Sequence, residues 1–442
     1  MRAPVRLGLF AVAVVMVSGC VIGTSKPSDQ GAGGPSGSES AKQVAEAALT
    51  DVQRYWTSEY PKLSGGKPFK PLQGGSHPYT ETKLPPPCGG EQPQYQPNAF
   101  YCPDGDYIAW DSQTLIPQLY NSYGALLVGV VLAHEYGHAI QTRLGLGSAP
   151  SVVLEQQADC FAGSWMKDVN AGHATGFAKP TPDELDNTVA GVLELRDQPG
   201  TSAVAPQAHG NAFDRIRALQ DGYEQGAGKC AGYNADTIPV TEVPFQSRQD
   251  AANGGDLPYD QAVKDLGDDA QAYWSRAYPK LTGQSWSPLR IVPYDPADAP
   301  SCGGQTRSEK DATNAAYYCA SDGYIAFDNQ QLGPSLYRNI GDNAIGMLLG
   351  DLFAQAVQER RGQSTQGRDG QLTVDCLAGS WTYDLLHRGA GADLQLSPGD
   401  LDEAVAALLV FGRSAKANEA SAFDRIASYR NSVLNGLNAC GK

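Results

Sequence analysis

LAHEYGHAIQ, residues 132–141, followed by EQQADCFAGSW, residues 155–165, is the pair of segments on which the reading of this chain turns. His134 and His138 stand four residues apart. On a helix that spacing is about 400° of rotation, so both imidazoles leave one face a turn apart. Two neutral imidazoles so placed can hold one Zn²⁺. Glu135 is offset by about 100° from His134, where it can reach a metal-bound water as general base. A catalytic zinc keeps three protein ligands and an open fourth position. Glu155, on the next helix, is the expected third ligand. Asp159 lies one turn further along the same face, placed to accept a hydrogen bond from a ligand histidine and fix its tautomer. Cys160, about 140° round from Glu155, should point away from the metal. Reading the two histidines as ordinary helix residues leaves the apolar context of Ala133, Ala139 and Ile140 unexplained, and the second carboxylate motif as well.

The segments around this pair occur twice. YWTSEYPKL at 55–63 returns as YWSRAYPKL at 273–281, and CGG at 88–90 returns at 302–304. FYCPDGDYIAWD at 100–111 returns as YYCASDGYIAFD at 317–328. ADCFAGSW at 158–165 becomes VDCLAGSW at 374–381, and AFDRI at 212–216 returns at 422–426. The expected organisation is a targeting segment (1–19), a tether (20–40), a first domain (41–233), a linker (234–256) and a second, homologous domain (257–442). Each half carries four cysteines in the same order. The simplest pairing is Cys88–Cys102, Cys160–Cys230, Cys302–Cys319 and Cys376–Cys440, although sequence alone leaves other connectivities open.

Each half reads as helix-rich. Helices are expected over 41–59, 122–144, 151–169 and 210–226, with a short strand at Tyr107–Trp110. Another helix should begin at Thr181-Pro182, which combines an N-cap, a proline at the first position and acids in the first turn. Ser397-Pro398 is expected to play the same part in the second half. The strand at Tyr107–Trp110 is either a core strand or a partner for an extended substrate backbone.

The N-terminal segment is basic at Arg2 and Arg6, apolar from Leu7 to Val17, and ends in Val17-Ser18-Gly19-Cys20. That ending resembles a bacterial lipobox, which implies a lipidated Cys20 and a protein anchored on the extracytoplasmic face of the cell membrane. The Gly/Ser/Pro-rich residues 21–40 read as a flexible tether. The chain has 442 residues, a formal net charge of −15 and no cluster of Lys and Arg, which excludes a nucleic-acid partner.

LAHEYGHAIQ, then EQQADCFAGSW, preceded by FYCPDGDYIAWD and followed by His209-Gly210, resembles the bacterial neutral zinc metallopeptidase family, and more generally the gluzincin peptidases. The resemblance covers most of the first half. It implies an α+β, helix-rich, zincin-like domain with a small sheet, with His134, His138 and Glu155 as zinc ligands and Glu135 as base. It further implies hydrolysis of peptide bonds in a protein or peptide substrate. His209 is a candidate transition-state stabiliser. Aligning the halves sets Asp351, Leu352, Gln355 and Gln371 against His134, Glu135, His138 and Glu155, and Glu419 against His209. The second copy is therefore expected to be degenerate, so that the chain holds one zinc, in the first repeat. That copy would pack on the first or bind a partner. The competing readings are a non-catalytic surface lipoprotein with a structural zinc, and a hydrolase of non-peptide amides such as cell-wall material. Glu135 argues against the first, since a structural site needs no base beside its ligands.

Overall fold

The computed structural model describes residues 37–147, 149–203, 205, 208–389, 391–412 and 418–441. The expected targeting segment, Cys20 and the tether up to residue 36 lie outside them. The described residues form two compact units. One runs to Asp197 and takes in Thr201–Thr241, and the other comprises Gln198–Gly200 and Glu242 onward. Each is helix-rich with one small sheet, an α+β fold.

The first unit contains α1 (Gly37–Leu63), β1 (Gly75–Tyr79), β2 (Ala99–Cys102), β3 (Tyr107–Asp111), α2 (Leu115–Tyr123), α3 (Ala125–Leu144), α4 (Ser151–Asn170), α5 (Pro182–Glu194), α6 (Ala212–Gln225) and α7 (Ala227–Ala231). Residues 37–40, expected in the tether, belong to α1. The helix expected over 122–144 is interrupted at Gly124, whose φ of 92° separates α2 from α3. α3 is buried along most of its length, as an apolar core helix should be. Among the described residues no helix is long and apolar enough to cross a membrane. α5 starts as its sequence dictates, with Thr181 and Glu184 forming a reciprocal capping box and Pro182 in the first turn.

The sheet order is β1-β3-β2, with β1 parallel and β2 antiparallel to β3. The strand at Tyr107–Trp110 is thus the central one, buried at every residue of β3. Both its edges are paired, so it cannot receive a substrate backbone. The outer strands are β1 and β2. α1 is fastened to α4 by the Tyr55 hydroxyl on Ser164 Oγ (2.9 Å) and by Trp165 Nε1 on the buried Asp51 (2.8 Å). α4 crosses α6 at very short range. A Cβ built on Gly163 would lie 1.9 Å from the Leu219 carbonyl oxygen, and one on Gly222 would lie 1.8 Å from that of Cys160.

The second unit contains α8 (Arg248–Ala252), α9 (Tyr259–Thr282), β4 (Arg290–Tyr294), α10 (Glu309–Ala312), β5 (Ala316–Cys319), β6 (Tyr324–Asp328), α11 (Leu332–Asn339), α12 (Asp342–Arg360), α13 (Gly367–Leu386), α14 (Asp400–Gly412) and α15 (Ala422–Asn435). Its sheet order is β4-β6-β5, again with one parallel and one antiparallel neighbour to the central strand. Tyr273 bonds Ser380 Oγ (2.8 Å) and Trp381 Nε1 bonds Asp269 (2.7 Å), the pattern that joins α1 to α4. Disulfides join Cys88 to Cys102, Cys160 to Cys230, Cys302 to Cys319 and Cys376 to Cys440.

Two expectations for this region change. α14 begins at Asp400, not at Ser397-Pro398. Ser397 turns its hydroxyl to Asp250 (2.9 Å), while its N–H donates to Asp400 (2.7 Å), so a turn precedes the helix. Residues 234–256, read as a linker, are packed. Arg217 reaches the Pro239 carbonyl (3.1 Å) and the Thr241 N–H reaches Asp214 (2.8 Å), which fixes 234–241 on α6. The remainder includes α8, and Gln246 bonds the Leu396 carbonyl (3.3 Å).

Candidate metal centre

α3 carries His134, Glu135 and His138; α4 carries Glu155 and Asp159. Gly137 lets the two helices meet, because a Cβ there would be only 3.0 Å from Ala158 Cα. One ligand atom each from His134, His138 and Glu155 lie within 4.8 Å of one another. The imidazole Nδ1 atoms have other partners. That of His134 is 2.7 Å from Asp159 Oδ1, and that of His138 is 2.9 Å from Gln141 Oε1. Facing a carboxylate and an amide oxygen, each Nδ1 carries the hydrogen and each Nε2 is left with its lone pair. Both Nε2 atoms then confront Glu155 Oε2, at 3.1 Å from His134 and 3.6 Å from His138. Acceptors facing an acceptor need a positive charge between them, either a proton or a metal ion. Two imidazole nitrogens and a carboxylate oxygen, with no thiolate, form a donor set that fits Zn²⁺.

The electrostatics follow from this packing. Burial alone would lower the His134 imidazole, but Asp159 and Glu155 outweigh it and push it up to about 10. Burial opposes ionisation of Glu155, yet His138 and His134 hold it well below the usual carboxylate range. Asp159 is brought down to about 2, because Arg215 and His134 overcome its burial. Arg215 on α6 grips Asp159 through Nε (2.9 Å) and Nη2 (3.0 Å), and its Nη1 donates to the Leu195 carbonyl (2.6 Å). Asp159 therefore connects His134 to a buried guanidinium. Glu135 is raised by burial, an effect partly offset by His134 and His138. Its Oε2 accepts the Tyr101 N–H of β2 at 3.0 Å.

His209 has its own partner. Its Nδ1 is 3.4 Å from Asp197, whose other oxygen accepts the N–H groups of His209 (2.7 Å) and Gly210 (2.8 Å). A Cβ on Gly210 would sit 3.3 Å from Val152, which places this loop against the first turn of α4. Cys160 is buried and bonded to Cys230.

In the second unit the corresponding positions hold a self-satisfied network. Arg425 pairs with Asp375 (2.7 Å) and Asp351 (3.2 Å), and Gln355 Nε2 donates to Asp351 (2.6 Å). Leu352 is buried, and Gln371 accepts the Ala420 N–H (2.8 Å). A guanidinium thus lies against Asp351, the carboxylate aligned with His134.

Sequence reasoning missed three participants: the Tyr101 N–H, Gln141 and Arg215. The Tyr101 N–H is a backbone group and leaves no signal in residue type. Gln141 and Arg215 did leave one, since Gln358 and Arg425 stand at the same places in the second half.

A sequence model of the family described as "Putative neutral zinc metallopeptidase" matches residues 8–235. Among curated proteins the chain is similar to the uncharacterized protein Rv2575 of Mycobacterium tuberculosis and the uncharacterized protein Mb2605 of Mycobacterium bovis. Each is 31% identical over 163 residues, covering 31% of this chain and 55% of the relative. The chain thus spans about half the length of the curated relatives it matches. No solved structure matches it.

Proposed function

The chain belongs to this neutral zinc metallopeptidase family, and we propose that its first unit hydrolyses peptide bonds in a protein or peptide substrate. The observation that carries the proposal is the convergence of His134, His138 and Glu155 within 4.8 Å, with Glu135 between the two histidines on the same turn of α3. His134, His138 and Glu155 would hold the zinc. When bound, the ion would polarise a scissile carbonyl and bring the pKa of a water down to about 7. Glu135 takes the proton of the attacking water and delivers it to the leaving amine. The Tyr101 N–H orients that carboxylate. Asp159 and Gln141 hold the two imidazoles in one tautomer, so that neither has to reorganise during turnover.

Tyr101 turns its N–H away from β3 toward Glu135. Alternation along an antiparallel strand turns the backbone groups of Ala99 outward as well. We place an extended substrate along this outer edge of β2, in place of the β3 edge considered from the sequence. His209 is our candidate for stabilising the oxyanion. It would have to do so with Asp197 holding its other nitrogen.

We read the second unit as a degenerate copy of the first that binds no zinc in its Asp351–Arg425–Asp375 network. The N-terminal segment supports lipidation at Cys20 and an extracytoplasmic location.

The test is hydrolysis of a peptide library by zinc-loaded protein. Glu135→Gln should keep its zinc and lose about 100- to 10,000-fold in rate, since a carboxamide cannot take the proton. In the same assay His209→Ala should keep zinc and lower kcat about 100-fold. Zinc-loaded Glu135→Gln with undiminished activity would exclude this mechanism.

A further inference from the structure

The second unit contains a group of carboxylates that the proposed hydrolysis does not use. Asp256 precedes α9, Asp342 opens α12 and Glu403 lies on α14; one oxygen from each lies within 4.8 Å of the others. Two of the three cap α12. Asp256 accepts the Asp342 N–H (3.3 Å) and Glu403 accepts the Asn343 N–H (2.9 Å). Asp342 is different. It is 5% exposed; Oδ2 accepts the Leu257 N–H (2.8 Å), and Oδ1 is buried with no hydrogen-bond partner among the described residues. A buried, unpartnered carboxylate oxygen is costly unless a cation or a proton answers it.

Among the described residues, no positive side chain figures among the main charges acting on the group. After burial, the charges acting on Asp342 are Asp256 and Asp250, and those acting on Glu403 are Asp400, Asp342 and Asp256. Burial and these neighbours push Asp342 up to about 7. Glu403 approaches the start of α12 only because residue 341 is glycine: a Cβ there would lie 2.2 Å from the Glu403 carboxylate. A cavity of about 40 Å³ reaches the group at Asp342 and Asp400, with leucines such as Leu257 and Leu266 also in its lining. That is room for one or two water ligands.

We propose that Asp256, Asp342 and Glu403, with Asp400 beside them, bind a calcium-class divalent cation. Every donor is oxygen, and three carboxylates gathered at one place suit the many-oxygen shell of Ca²⁺ better than Mg²⁺, which keeps several waters and takes one or two carboxylates, or zinc, which prefers nitrogen and sulfur. The ion ties the chain before α9 and the first turn of α14 to the N-terminus of α12. It neutralises charge that the helix end alone has to hold.

The experiment is calcium titration of the full-length, metal-free protein at pH 7.5, followed by calorimetry and by thermal unfolding. One calcium should bind per chain, and at a hundredfold excess over Kd the unfolding of the second unit should shift up by about 5–10 °C. Asp342→Asn and Glu403→Gln should abolish the binding and the shift, and His138→Ala should leave both intact. Without calcium, Asp342→Asn should unfold no lower than the wild type, because it removes an unanswered charge. Absence of calcium binding up to about 10 mM, far weaker than protein calcium sites, would overturn the proposal. So would calcium binding that survives both variants, or magnesium binding of equal strength. Carboxylates that merely share protons at a helix end would give the first of these results.

Discussion

Asp159 shows how much of the site depends on a single side chain. One oxygen orients His134 at 2.7 Å and both oxygens are held by Arg215, so the carboxylate fixes the imidazole and α6 fixes the carboxylate. Asp159→Asn keeps the shape but weakens both attachments. It should lower zinc affinity about 10- to 100-fold, measured by competition with a chromogenic chelator; unchanged affinity would show that His134 is oriented by something else. Asp375 keeps the same grip on Arg425 where no histidine remains. The aspartate therefore has a packing role independent of metal. At this scale the sequence was informative where chemistry follows helical spacing. His134, Glu135, His138, Glu155 and Asp159 all sit on two helices whose periodicity fixes their direction. It was silent on Tyr101, whose contribution is a backbone N–H brought to Glu135 by tertiary packing.

Among the elements, the contact of α4 with α6 determines where Glu155 and Asp159 stand. Gly163 and Gly222 let the two backbones meet, and the Cys160–Cys230 bridge closes the same region. Gly163→Ala would drive a methyl into the Leu219 carbonyl. We expect it to cost about 1–3 kcal/mol, as overpacking does, read as a lower midpoint in urea unfolding. A midpoint within error of the wild type would mean that α4 and α6 can move apart freely. The long helices were legible because their apolar residues recur at helical spacing and Thr181-Pro182 announces a start. The outer strands were not. β1 contains Pro78 and β2 has four residues, so neither shows an alternating run long enough to read. The central strand did stand out as Tyr107–Trp110, which is why it alone was considered for substrate, and its two paired edges exclude it. Gly124 was passed over inside an apolar stretch, although its positive φ divides that stretch into two helices.

Across the whole molecule, the repeated motifs mark the same tasks in each unit. Tyr55 and Tyr273 bond Ser164 and Ser380; Trp165 and Trp381 bond Asp51 and Asp269. What differs is the chemistry at one place. The first unit sets together three atoms that could hold a metal ion, and the second sets a guanidinium against two carboxylates. The extent of the second unit was less legible, because residues 242–256 carry loop-like composition yet pack within it. The N-terminal reading has its own check. Cys20→Ala should release the protein from the membrane fraction or block processing, and an intact-mass spectrum showing an unmodified N-terminus at another residue would refute lipidation. The central claim is that this chain holds one catalytic zinc, in its first unit. It is tested most directly by anomalous diffraction at the zinc edge from crystals of the purified protein. We predict a single strong peak about 2.0–2.2 Å from His134 Nε2, His138 Nε2 and a Glu155 oxygen. No peak there, or one of equal height beside Asp351 and Asp375, would contradict the account.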